Sequence, residues 1–298
     1  MKKRAIWCAI TVMFLSLLAA AQAQEQYLDV FIAQVKPDKR ADFDAISKKI
    51  AAINRQNKGD AWLAMETDYG PLNRVTIIST RQGYADISKG NDAFMGAIQK
   101  SLGKPGTDKL FADLNQTLAS SWSELRRRRW DLSSNAPADA AAMAKMLGET
   151  RYLRTTIVHV RPGRGPELEA LLKEIKAARE KNSPDVTTLV SQGEAGQLGS
   201  VFYITTLEKS MGGFDSIMSL RKTMGDEAFE HYLKVASEIV ENTETAINHF
   251  LPDLSNPPAE VMAAAPDYWT PKETVAKTST LKKSVENAAQ TSKIDEKK

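Results

Sequence analysis

The sequence predicts an α+β chain of two tandem ferredoxin-like units, each running β-α-β-β-α-β. Three observations predict it. Setting residues 27–57 against 152–182, an ungapped offset of 125, matches ten of 31 positions, among them Tyr27/Tyr152, Val35/Val160, Pro37/Pro162 and Asn57/Asn182. A period this long marks a duplicated domain, because solenoid repeats recur every ~20 to 50 residues. Each copy opens with an apolar strand that stops at a proline and leads into a helix with one apolar stripe. Each copy then carries two short apolar runs around a turn cluster, a second helical stripe and a closing run.

In the first copy, residues 27–35 read as a strand ended by Pro37, whose missing N–H and fixed φ suit the approach to a helix. Phe43, Ile46, Ile50 and Ile53 recur at spacings of three and four, one face of a helix. Residues 62–66 and 74–80 are two strands around Asp68-Tyr69-Gly70-Pro71, a turn-forming cluster. Leu110, Phe111, Leu114 and Leu118 mark the second helix, and residues 122–130 the closing strand. The second copy follows the same course through residues 152–160, Leu168 to Ile175, 186–190, 201–207, Phe229 to Ala236 and 245–251. A unit with helices on one face of its sheet leaves the other face open and apolar, and two such units bury it by packing sheet on sheet.

Outside the repeats, Lys2, Lys3 and Arg4 precede an apolar run and then Ala21-Gln22-Ala23, the pattern of a secretory signal peptide cleaved after Ala23. The alternative is an uncleaved anchor. The expected organisation is a signal peptide (1–23), repeat 1 (24–133), a linker with a short helix (134–150), repeat 2 (151–255) and a disordered tail (256–298). Such a protein is exported to the periplasm or outside the cell, with no membrane span once the leader is gone.

The only cysteine, Cys8, lies in that leader, so the mature chain has no thiol nucleophile, Cys metal ligand or disulfide. The whole sequence has 40 Lys and Arg against 37 Asp and Glu, and without Lys2, Lys3 and Arg4 the two signs balance. No basic stripe of the kind that binds nucleic acid stands out. No His pair stands at the helical spacing of a zinc site, so no metal is expected. Gly193 to Gly199 is glycine-rich but lies between two strands with no Lys-Ser/Thr and no following helix, which makes it a hairpin loop.

Val35-Lys36-Pro37-Asp38 leading to Phe43, and Val160-Arg161-Pro162-Gly163 leading to Leu168, resemble the strand-Pro-helix opening of the dimeric α+β barrel superfamily. That superfamily includes NIPSNAP-like proteins and cofactor-free antibiotic-biosynthesis monooxygenases, and the resemblance spans residues 27–255. It implies an intramolecular α+β barrel with a ligand pocket inside it or between sheet and helices. Because both units lie in one chain, a monomer is expected. The resemblance also implies cofactor-free oxygenation, which needs a polar group such as Gln34, Asn57, His159 or Tyr203 beside an apolar pocket. Related haem barrels of the chlorite dismutase type need an axial His, for which His231 and His249 are the options.

The sharpest local feature is Glu124-Leu125-Arg126-Arg127-Arg128-Arg129-Trp130. One reading is an anion pocket at the barrel mouth, where guanidinium groups of the run, Arg127 and Arg129 among them, clamp a carboxylate or phosphate and Trp130 stacks on the ligand. The other is an edge strand guarded by charge. Trp62 and Tyr203 are candidate aromatic lining, which completes a ligand-binding set of Gln34, Trp62, Arg127, Arg129, His159 and Tyr203. The function expected is binding of a small apolar or anionic molecule, with oxygenase-like chemistry. The competing expectation is a non-catalytic envelope module whose barrel is filled by side chains. A cavity of roughly 300 Å³ or more separates the two.

Overall fold

A computed structural model describes residues 26–271. The expected signal peptide and the chain beyond 271 lie outside the described residues.

Eight strands run β1 (Tyr27–Val35), β2 (Leu63–Tyr69), β3 (Arg74–Arg81), β4 (Leu118–Arg128), β5 (Tyr152–Val160), β6 (Thr188–Ala195), β7 (Ser200–Glu208) and β8 (Val240–Phe250). They close into one antiparallel barrel in the order β1-β3-β2-β8-β5-β7-β6-β4. The first copy contributes β4-β1-β3-β2 and the second β8-β5-β7-β6, the same order twice. The seams are β2 on β8, where Met65 faces Phe250, and β4 on β6, where Arg128 faces Ser191. With β4 paired to β1 and β6, the arginine run has no open edge, and the guarded-edge reading is corrected.

The helices are α1 (Arg40–Asn57), α2 (Tyr84–Thr117), α3 (Ala140–Glu149), α4 (Gly165–Asn182), α5 (Leu220–Met224), α6 (Asp226–Ile239), α7 (Ala259–Ala264) and α8 (Pro266–Trp269). The stripe on α1 buries Phe43, Ile50 and Ile53 against Ala33, Val35 and Val75 on the outer face of the first sheet. On the second sheet, Leu168, Leu171 and Leu172 of α4 pack with Val158, Val160 and Phe202. The matched residues thus serve the same contact in each half. α2 starts well before the expected stripe and is interrupted at Gly103, whose φ of 63° breaks the helical path two residues before Pro105.

One end of the barrel is capped. α3, the helix expected in the linker, begins at an Asp139 carboxylate that accepts from the Ala142 N–H at 2.8 Å. It packs on α7 so closely that a Cβ at Gly148 would stand 2.5 Å from the Ala264 Cβ. α7 and α8 lie in the segment expected to be disordered from residue 256, so that boundary is corrected: the chain is ordered through Trp269, which is fully buried. The apolar gain of seating Val261 and Trp269 against Met65, Leu153 and Phe250 outweighs the ordering entropy of so short a segment.

Candidate functional site

Because side chains alternate along a strand, every second residue of each strand points into the barrel. The inward set includes Leu28, Val30 and Ile32 of β1, which pair with Arg126, Glu124 and Trp122 of β4. The lumen is not filled. Beneath the cap lies an inner chamber of about 200 Å³, walled by Leu28, Leu63, Ile78, Leu153 and Leu189 and by Arg128. Toward the other end lies a vestibule of about 570 Å³, bordered by Ile32, Trp122, Glu124, His159, Tyr203 and Asn248. Met65, Arg126 and Thr155 border both spaces.

At that border stands a bonded cluster. The Arg126 Nε and Nη2 donate to Glu124 Oε2 at 2.8 and 2.6 Å, the Tyr203 hydroxyl donates to the same oxygen at 2.9 Å, and the Trp122 indole donates to Oε1 at 3.0 Å. The Arg126 guanidinium also lies 3.6 Å from the Tyr203 ring centroid, a cation–π contact. Burial by itself would raise the Glu124 carboxyl, but Arg126, Gln197 and Trp122 together outweigh it and hold the carboxyl below its ordinary range. Tyr203 is pushed up to about 12, mainly by burial, so at neutral pH it is a neutral donor.

The Glu124 shift has a stability consequence. A carboxyl whose folded pKa is depressed stabilises the fold above its unfolded pKa and loses that contribution as pH falls through the folded value. Glu124→Gln is therefore expected to cost on the order of 2 to 4 kcal/mol at pH 7, because Arg126 stays buried without its counter-charge. The gap from the unaltered protein should narrow as pH drops below about 4.5. Thermal melts of both proteins between pH 3 and 7 check this, and a gap that stays constant across the range would refute it.

Arg128 is different. It faces the inner chamber, and among the described residues its Nε has no hydrogen-bond partner and no carboxylate pairs with it. Its guanidinium lies 5.6 Å from the Trp130 ring centroid. Burial, and then the like charge of Arg126, bring its pKa down to about 10, which leaves it charged at neutral pH. It is half-buried and lines the chamber. Withdrawing such a charge from water without a partner is unfavourable.

The residues singled out from sequence divide. Tyr203 and His159 line the vestibule, with the His159 Nε2 4.0 Å from Glu244. Trp62 touches the inner chamber but belongs to the outer core, edge-on to Phe94 and donating to the Leu254 carbonyl at 2.8 Å. Gln34 and Asn57 are spent elsewhere, Gln34 on the Leu72 carbonyl and Asn57 on Ile53 and Ser101. Arg127 and Arg129 are corrected: neither lines the lumen. Arg127 faces Glu194 at 3.6 Å, and Arg129 forks onto Glu169 and Asp131, tying β4 to α4. The anion-pocket face of the run belongs to Arg126 and Arg128, one residue out of step. Gly193 to Gly199 is a hairpin turn as expected; Gly196, at φ 89°, lets it close on β4, where a Cβ would meet the Ser123 carbonyl at 2.3 Å.

The two histidines offered as axial haem ligands do not reach the lumen. His231 is exposed on α6, and the His249 Nδ1 is bonded to Asp68 at 2.8 Å; neither borders the vestibule or the chamber. Among the described residues no group of three or more His, Asp or Glu side chains is placed to hold a metal ion. Among them, too, no helix is long and apolar enough to cross a membrane.

No family model matches the sequence, and no curated protein does. Among solved structures, a candidate monooxygenase from Fusobacterium nucleatum is similar at 13% identity and a TM-score of 0.49, over 77% of this chain and 94% of that one. An anthrone oxidase-like protein is similar at 10% identity and 0.49, over 77% and 92%. Chlorite dismutase from Candidatus Nitrospira defluvii follows at 12% and 0.43, over 76% and 92%. Such likeness concerns fold, and fold does not carry activity; the barrel itself rests on this chain's own strand pairings.

Proposed function

We propose that this protein binds a small molecule inside its barrel, and that it does so as an exported monomer. The observation that carries the reading is the open lumen: a vestibule well above 300 Å³ leads to an apolar chamber in which a few polar groups converge. A non-catalytic module with a filled barrel would have no use for that space. The leader motif supports export, and closure of the barrel within one chain supports the monomer.

A second reading, cofactor-free oxygenation by analogy with the monooxygenases of the resembled superfamily, leans on one observation. His159 and Glu244 both border the vestibule, 4.0 Å apart, an imidazole and a carboxylate within reach of a bound phenol or enol. Glu124 is a poor base, because its charge is held by three donors. Oxygen uptake with a quinol or anthrone probe, lost in His159→Asn, would support this reading, and no uptake would remove it.

Native mass spectrometry of protein from its exported fraction tests the main reading. The expected result is a monomer starting at Gln24 with a bound small molecule, absent from Thr155→Trp, which plugs the junction of the two spaces. A bare protein that is also not stabilised by any member of a small-molecule panel would overturn it.

A further inference from the structure

We infer that the inner chamber selects a small monoanion with an apolar body, a single aromatic ring or an aliphatic group of that size, whose carboxylate pairs with Arg128. This rests on the lumen-binding reading and names the ligand class.

Three cationic side chains border the chamber, and two are already neutralised. Arg126 is held by Glu124 at 2.6 Å, and Arg81 is forked onto Asp60 at 2.6 and 2.7 Å. Of the three, Arg128 alone has no carboxylate among the described residues, and its Nε has no partner there. A guanidinium is planar and offers parallel N–H groups that match the two oxygens of a carboxylate. Leu28, Ile78, Leu153 and Leu189 give the wall a large apolar share, its one carboxylate, Asp60, is taken up by Arg81, and Thr80, Thr155 and Thr205 add hydroxyls. Ser191, the cross-strand neighbour of Arg128, adds a hydroxyl at the charged side.

Size narrows the class further. An apolar cavity of ~150 Å³ takes a benzene, so about 200 Å³ takes one ring and a small head group. One uncompensated positive charge calls for one negative charge. A dianion would bury an excess charge, and a neutral ligand would seal Arg128 away from water with nothing to pair it.

The test uses the full chain, with benzoate and benzyl alcohol as probes, by titration calorimetry at pH 7. The unaltered protein should bind benzoate at least tenfold more tightly than the alcohol. Arg128→Met should lose that preference by weakening benzoate at least tenfold while leaving benzyl alcohol unchanged or tighter. Arg128→Lys should keep part of it. Arg128→Met should also melt at a higher temperature than the unaltered protein without ligand, since an unpaired buried charge gives way to an apolar side chain. Benzoate bound equally by the unaltered protein and Arg128→Met overturns the inference, as does tighter binding of the alcohol by the unaltered protein; both leave lumen binding standing. If neither probe binds, this inference falls, and the native mass spectrometry above decides the lumen reading separately.

Discussion

Trp269→Ala is expected to destabilise the protein by about 3 to 5 kcal/mol, the usual range for a buried Trp truncation, and to lower Tm by roughly 10 °C. The indole has no exposed surface and donates to the Gly148 carbonyl at 2.9 Å. Its ring lies 5.4 Å from that of Phe250 and 5.1 Å, edge-on, from that of Tyr268. The surroundings cannot collapse into the space left behind, because α3 and α7 already touch at Gly148, where a Cβ would stand 2.5 Å from the Val261 carbonyl. Val261 is also floor to the inner chamber, so loosening α7 should weaken any ligand held there. Circular dichroism melts give the stability change. A loss under 1 kcal/mol would mean that residues 257–271 are an appendage and not the cap of the barrel.

That segment shows why part of the fold was hidden in the sequence. From residue 256 the composition turns to Ala, Lys, Ser, Thr and Pro, and averaged over 43 residues it resembles a spacer. The informative signal was local: a Tyr268-Trp269 pair shortly after Val261 and Met262, large apolar side chains that gain most from burial. α2 was half visible for a different reason. Its C-terminal segment carries Leu110 and Leu114 at helical spacing, whereas the segment before Gly103 mixes buried Gly90 and Ala97 with Phe94, Ile98 and Leu102, which leaves a less regular stripe. The duplication was plain because its identities fall in β1 with α1 and in β5 with α4, the pairs that build each half's outer core.

The site was legible as a run of four arginines but not as a face. Parity could not be read from β1, since Leu28, Val30 and Ile32 face the lumen while Phe31, Ala33 and Val35 face the helices, and both sets are apolar. β4 held the missing clue. Glu124 stands two residues before Arg126 and two after Trp122, so all three share a side of the strand, and an acid, a base and an indole donor on one buried side can satisfy one another. That places Arg126 and Arg128 inward. Arg127 and Arg129 then point outward, where Arg129 finds Glu169 on a helix that only the folded chain brings near.

Asp60→Ala should have the second large effect, with the opposite sign to Arg128→Met. Arg81 is 5% exposed, and the Asp60 carboxylate takes both of its terminal nitrogens, while Asp29 adds longer contacts of 3.3 Å to Nε and Nη2. Gly90 of α2 comes so near that a Cβ there would lie 2.4 Å from Arg81 Nη1, so the guanidinium has no room to swing toward solvent when its partner is lost. A buried cation stripped of its carboxylate costs about 3 to 5 kcal/mol, and Asp29, at the longer distance, should account for about 1 kcal/mol when replaced by Ala. Arg81→Met in the Asp60→Ala background should recover much of the loss, since the penalty belongs to the stranded charge. Denaturant unfolding of the three variants decides it; if Asp60→Ala and Asp29→Ala cost the same, the bidentate pair is not what holds Arg81. Arg81 thus defines how this barrel treats an arginine that serves stability, fully paired and locked in place. Arg128 sits in the same chamber wall without such pairing, and a stabilising Arg128→Met beside a destabilising Asp60→Ala would show that its charge is kept for a ligand and not for the fold.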